Sequence, residues 1–176
     1  MSTLPNQNLL EVLLDSYTRN NTILLNILRA LPEGGLEARA MDGSMTIAKQ
    51  FTHIRDCRLF FVSQTAPEFT PNLPELFRPE EDGWQAERNP ERIAQMLNDS
   101  AKAVRDAVAS RISSGQAMKG KTITYDHPVM LLQHMLWHEG YHTGNIMLAL
   151  KAIGQPLSES EGEALMWSLW RKEEWA

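Results

Sequence analysis

Residues 134–145 read His134-Met135-Leu136-Trp137-His138-Glu139-Gly140-Tyr141-His142-Thr143-Gly144-Asn145. Histidine recurs at every fourth position, so on a helix each imidazole lies one turn above the last, offset by about 40°. Leu131, Met135, Ile146, Ala149 and Ile153 share that face, which turns the imidazoles toward the interior of a helical assembly. One buried histidine is ordinarily a hydrogen-bonded core residue. Three stacked on an apolar face are hard to satisfy by packing, because each carries two ring nitrogens that need partners. A metal ion resolves that demand: neutral imidazoles one turn apart can chelate a single ion at about 2.0–2.1 Å each. His134 and His142 cannot both join it, being about 12 Å apart along the axis. One adjacent pair binds, and a further ligand must come from another helix.

Outward from this stretch the chain reads as helices. Its own helix opens at His127-Pro128, where His127 suits a surface or capping role, and stops at Gly154 with Pro156 just beyond. Upstream, Leu10, Leu13, Tyr17, Leu24, Leu28 and Leu31 form the stripe of a long amphipathic helix that ends at Pro32 and Gly34-Gly35. Asn20 and Asn21 interrupt it, as hydrogen-bonded core amides or as polar lining of a site. Ser44 is the expected N-cap of a second helix that runs to Ala66 with Ile47, Phe51, Ile54 and Phe61 on its face. Asn89-Pro90 starts a third, carrying Ile93, Leu97, Val104, Val108 and Ile112. Ser158 to Glu161 is a capping box for a short last helix with Leu165, Met166, Leu169 and Trp170. The connections 67–89, with Pro67, Pro71, Pro74 and Pro79, and 115–127, extended at Thr122 to Tyr125, are long for a compact bundle. The pattern predicts one all-α domain over residues 1–176, a four-helix bundle with a short extra C-terminal helix.

Composition narrows the function. A chain of 176 residues with 43% apolar content can bury a full core, and Cys57, its single cysteine, cannot form a disulfide within the chain. The net charge of -5 comes without any basic cluster, which argues against nucleic acid as a partner. The absence of a secretory signal and of a long apolar run argues against membrane insertion and points to the cytoplasm.

The only other histidine in a helix interior is His53, on the shoulder of the second helix's apolar arc. A histidine pair from one helix and a single histidine from a neighbour give three ligands with open positions, as in catalytic sites. His138-Glu139-Gly140-Tyr141-His142 also matches H-E-x-x-H, in which a glutamate is the base of a zinc peptidase. The longer peptidase form fails, since Asn145 and Leu148 stand where glycine and histidine belong. Glu161 or Glu163 would have to serve as the distal ligand, and they sit in or near a capping box. Glu139 is turned about 100° from His138, which suits an ion pair with a neighbouring helix better than a base.

One histidine on the second helix, followed by His-x-x-x-His-x-Gly-Asn on the fourth and the tail Ala152-Ile-Gly-Gln-Pro-Leu157, resembles the DinB/YfiT-like family. The resemblance implies an up-down-down-up four-helix bundle, often a homodimer. It also implies a divalent metal, nickel or zinc, on His53, His138 and His142, with His134 left to a supporting or packing role. Thr143 replaces the arginine usual in that motif. Characterised relatives imply a metal-dependent transfer of a low-molecular-weight thiol, or another group, to a small electrophilic substrate. A metallohydrolase using metal-bound water and a non-catalytic binding protein are the alternatives.

The remaining polar and aromatic residues have bland readings and functional ones. Cys57, one turn after His53, is first a small core residue and second a fourth ligand. Asn145 either holds a ring N–H or makes a structural hydrogen bond. Gln50 and Asn21 are candidate pocket lining, and Trp167, Trp170 and Trp175 are candidates for pocket lining or, more commonly, for a packed or subunit-facing stripe.

Overall fold

The computed structural model describes residues 8–70 and 85–171. Most of the connection 67–89, with Pro71, Pro74 and Pro79, and also Trp175, lies outside the described residues. The fold is all-α. Its helices are α1 (Leu9–Arg29), α2 (Ile47–Thr65), α3 (Pro90–Ser114), α4 (Val129–Ala152) and the short α5 (Glu159–Leu165). A small antiparallel hairpin pairs β1 (Met118–Lys119) with β2 (Thr124–Tyr125), Met118 opposite Tyr125. None of the described helices is long and apolar enough to cross a membrane.

The helix ends follow local chemistry. The Asn8 and Asn89 side chains accept from backbone N–H groups of the first turns of α1 and α3, and Gly115 closes α3 at φ +66°. Helix α4 has no capping side chain at Pro128; instead His127 Nδ1 accepts from Val129 N–H at 3.2 Å. The capping box at Ser158 and Glu161 is complete. Ser44 is not the N-cap of α2. Thr46 is, accepting from Lys49 N–H at 3.2 Å, while the Ser44 hydroxyl is held by Met41 in the preceding turn. Leu31 and Ile153, assigned to apolar stripes, fall just past the ends of α1 and α4, and Ile153 is 45% exposed.

Helices α1 and α2, consecutive in sequence, pack mainly on α3 and α4 rather than on each other. That requires the connection 30–46 to cross over as well. The apolar core has two parts. One gathers Leu24, Ile27, Phe51, Ile54, Leu97 and Ile146, and the other gathers Tyr17, Val62, Val104, Val108, Leu131 and Met135.

Between them lies a polar layer. Arg58 and Glu139 are fully buried and joined bidentately, Nε to Oε1 at 2.7 Å and NH2 to Oε2 at 2.6 Å. Tyr17 OH and Asn20 Nδ2 donate to the remaining carboxylate sites at 3.0 and 2.6 Å. The other guanidinium nitrogen reaches Leu97 O at 2.8 Å and Asn21 Oδ1 at 2.9 Å. Asn21 is therefore a buried core amide and Asn20 a partly buried one, both hydrogen-bonded within this layer, and Glu139 is the ion-pair partner of a neighbouring helix. An unpaired buried charge is strongly unfavourable, so Glu139→Gln should lower the unfolding free energy by about 3–5 kcal/mol. Lys102→Ala, which breaks the exposed pair with Asp106, should cost under about 1 kcal/mol. Urea denaturation followed by circular dichroism measures both; equal midpoints for the two variants would refute the assignment.

Candidate metal centre

The polar layer sets α2 against α4 at one register, and that register brings the predicted histidines together. His138 Nε2 is 3.2 Å from His53 Nε2 and 3.1 Å from His142 Nε2. Cys57, one turn after His53, places its sulfur 3.4 Å from His53 Nε2. The donor atoms of His53, Cys57 and His138 all lie within 4.8 Å of one another, a cluster that can hold a metal ion. His142 adjoins this group through His138. Two ligands on one ion at about 2.05 Å in tetrahedral geometry stand about 3.3 Å apart, close to both nitrogen separations.

Hydrogen bonding alone does not satisfy the cluster. His142 Nδ1–H donates to Gln50 Oε1, which leaves its Nε2 a bare lone pair facing His138. A ring proton on His138 Nε2 can point at only one of its two neighbours, so one close nitrogen contact has no hydrogen bond. His138 Nδ1 is itself buried with no partner among the described residues. A cation accepts lone pairs from several nitrogens at once, and the donor set fits it better than it fits protons.

Burial makes the imidazoles neutral and so available as donors. It lowers the pKa of His142 to about 3 and that of His138 to about 4, with the neighbouring imidazoles adding to the effect. His53 is lowered by burial, against the pull of Asp56. The Cys57 thiol is pushed up to about 11, by burial first and then by Asp56 and Glu139.

Other predicted residues take different places. His134 lies one turn before the cluster, where Tyr125 OH meets its Nδ1 at 2.8 Å and the Phe61 ring packs edge-on at 4.7 Å. Tyr125 is delivered by the hairpin, which lies so close to α2 that a Cβ on Gly120 would meet Gln64 O at 2.1 Å. Asn145 donates to Tyr141 O, a bond within its own helix, so it makes the structural hydrogen bond. Gln50 does line the cluster, and Asn21 does not. Trp170 borders α1, where it shares a surface cleft with Glu11, Val12 and Arg19. The peptidase reading loses its parts: Glu139 is locked to Arg58, Glu161 caps α5, and Glu163 pairs with Arg171.

The sequence marks Arg58 only by placing a charge four residues after Ile54 on an apolar stripe, and its partner Glu139 is 81 residues away. Cys57, expected first in the core, lies outside both buried apolar clusters.

The lowered histidine pKa values have a thermodynamic consequence. Below the ordinary value of 6.5 the unfolded chain binds protons that the folded chain refuses, down to about pH 4. Stability of the metal-free protein is therefore fully present above that value and is lost as pH falls through the window. Its melting temperature, measured with a chelator present, should drop between about pH 6.5 and pH 4, and less steeply in His142→Gln. A flat profile would contradict the neutral cluster.

No curated protein and no solved structure matches the chain. The model of the DinB family matches residues 1–173, and with nearly the whole sequence covered, this helical chain belongs to the DinB family.

Proposed function

We propose that the chain binds a divalent ion, nickel or zinc, through His53, His138 and His142, and uses it to activate a low-molecular-weight thiol for transfer to a small electrophilic molecule. The observation that carries the reading is the close approach of imidazole nitrogens from two helices, 3.2 Å between His53 and His138 and 3.1 Å between His138 and His142. When bound, such an ion supplies the positive charge that makes a coordinated thiol or water acidic enough to act as a nucleophile near neutral pH.

The chain's own residues prepare the site. Gln50 holds the Nδ1 proton of His142, so that Nε2 is left as the donor. His53 and His138 are only partly buried, which leaves the cluster an approach from solvent. Tyr141, 65% exposed, packs its ring against His142 and gives that approach an aromatic flank.

Freshly purified protein should carry a stoichiometric divalent ion by elemental analysis. His138→Ala and His142→Ala should lose it, and Gln50→Ala should bind about 10–100-fold more weakly. Tight metal binding by the two alanine variants sinks the assignment. A screen of bacterial thiols against electrophiles should show turnover only with ion and thiol together; turnover without thiol would favour hydrolysis.

The reading takes a second copy of the chain as partner. Met130, Trp137, Tyr141 and Leu148 are exposed along one face of α4, Trp137 at 80%, and beyond the backbone of their own helix no described atom lies within 4 Å of a Cβ built on Gly140 or Gly144. Large apolar side chains beside open glycines suit close helix pairing. Trp137→Glu should therefore shift sedimentation from dimer to monomer while metal content is kept. A monomeric wild type would exclude the pairing.

A further inference from the structure

Cys57 follows His53 by four residues, as His142 follows His138, so α2 and α4 each present two donors one turn apart. Packing does not account for the cysteine. Ile54 and Arg58, the neighbours that face the interior, are 0% exposed, whereas Cys57 is partly exposed on the His53 side of the helix and outside both apolar clusters. Its sulfur stands 3.4 Å from His53 Nε2 and shares with His53 and His138 the 4.8 Å limit on all donor separations. Tetrahedral bonds of about 2.05 Å to nitrogen and 2.3 Å to sulfur place the two ligands about 3.6 Å apart. Its separation from His53 already fits, whereas His142 is not in the group that meets the 4.8 Å limit, so His142 and the sulfur must close on each other as the ion binds.

We propose that Cys57 Sγ is a fourth protein ligand, so that the ion is held by three imidazoles and one thiolate. The proposal rests on the metal reading above. As the sulfur–metal bond forms, the S–H bond breaks and its proton passes to solvent; no oxidant or reductant takes part. A donor set with a thiolate favours zinc, nickel or cobalt over magnesium and manganese. It occupies the fourth tetrahedral position, so an exogenous thiol or water reaches the ion by displacing Cys57 or by expanding the shell to five ligands.

Cobalt(II) titrated into the metal-stripped protein, with a phosphine reductant and no added thiol, tests this. The wild type should develop a near-ultraviolet sulfur-to-cobalt charge-transfer band together with the visible ligand-field bands. Cys57→Ser and Cys57→Ala should keep ligand-field bands, lose the charge-transfer band, and bind zinc about tenfold or more weakly in chelator competition. Cobalt binding to the wild type without the band, or zinc affinity unchanged in both variants, overturns the ligand. Failure of the wild type to bind cobalt or zinc at all overturns the three-histidine reading and this one together. Binding abolished by His138→Ala but indifferent to Cys57→Ser overturns the cysteine alone.

Discussion

The buried pair of Arg58 and Glu139 is the constraint on which the rest of the molecule depends. Two charges taken wholly out of water are tolerated only when geometry is good and every remaining lone pair and proton is engaged. Here each carboxylate oxygen accepts two bonds, from Arg58 with Tyr17 and from Arg58 with Asn20. The guanidinium is completed by Asn21, Ser100 and a backbone carbonyl of α3. All four long helices contribute, so the layer sets their mutual register in a way that apolar contacts above and below it, being non-directional, do not.

That register has a chemical consequence. Arg58 is five residues beyond His53 and next to Cys57, while Glu139 is next to His138. Aligning the charges between α2 and α4 also aligns the donors, on the edge of the same layer. A shift of one helical turn would satisfy neither. Charge pair and donor cluster are two faces of one junction, the first buried and silent, the second partly open and chemically available.

The glutamate of His138-Glu139-Gly140-Tyr141-His142 shows how a short pattern can mislead. In a zinc peptidase that residue serves as a base. Here a rotation of about 100° around α4 carries it away from the imidazoles and into the pair with Arg58. The same spacing thus supports different chemistry, because the neighbours of the helix decide what each face meets. Tyr125 makes a similar point, since only the fold of the hairpin, with Gly120 pressed against α2, brings it to His134.

Much of the architecture was legible in the sequence, because periodicity, proline, glycine and capping residues act locally. The helices, the capping box at Ser158, the stop at Gly154 and the one-turn spacing of His138 and His142 all follow from neighbours within a few residues. The errors there are local too: Ser44 and Thr46 are both competent caps, and the hydrogen bonds made by each side chain decide between them. Contacts between distant segments were not legible. The sequence alone determined an all-α chain with donor side chains on two helices. Only the tertiary structure decided that Arg58 meets Glu139, that Gln50 orients His142, and that Cys57 sits among the donors rather than in the core. Those outcomes depend on how α2 and α4 are rotated and translated against each other, and no spacing along one helix encodes that.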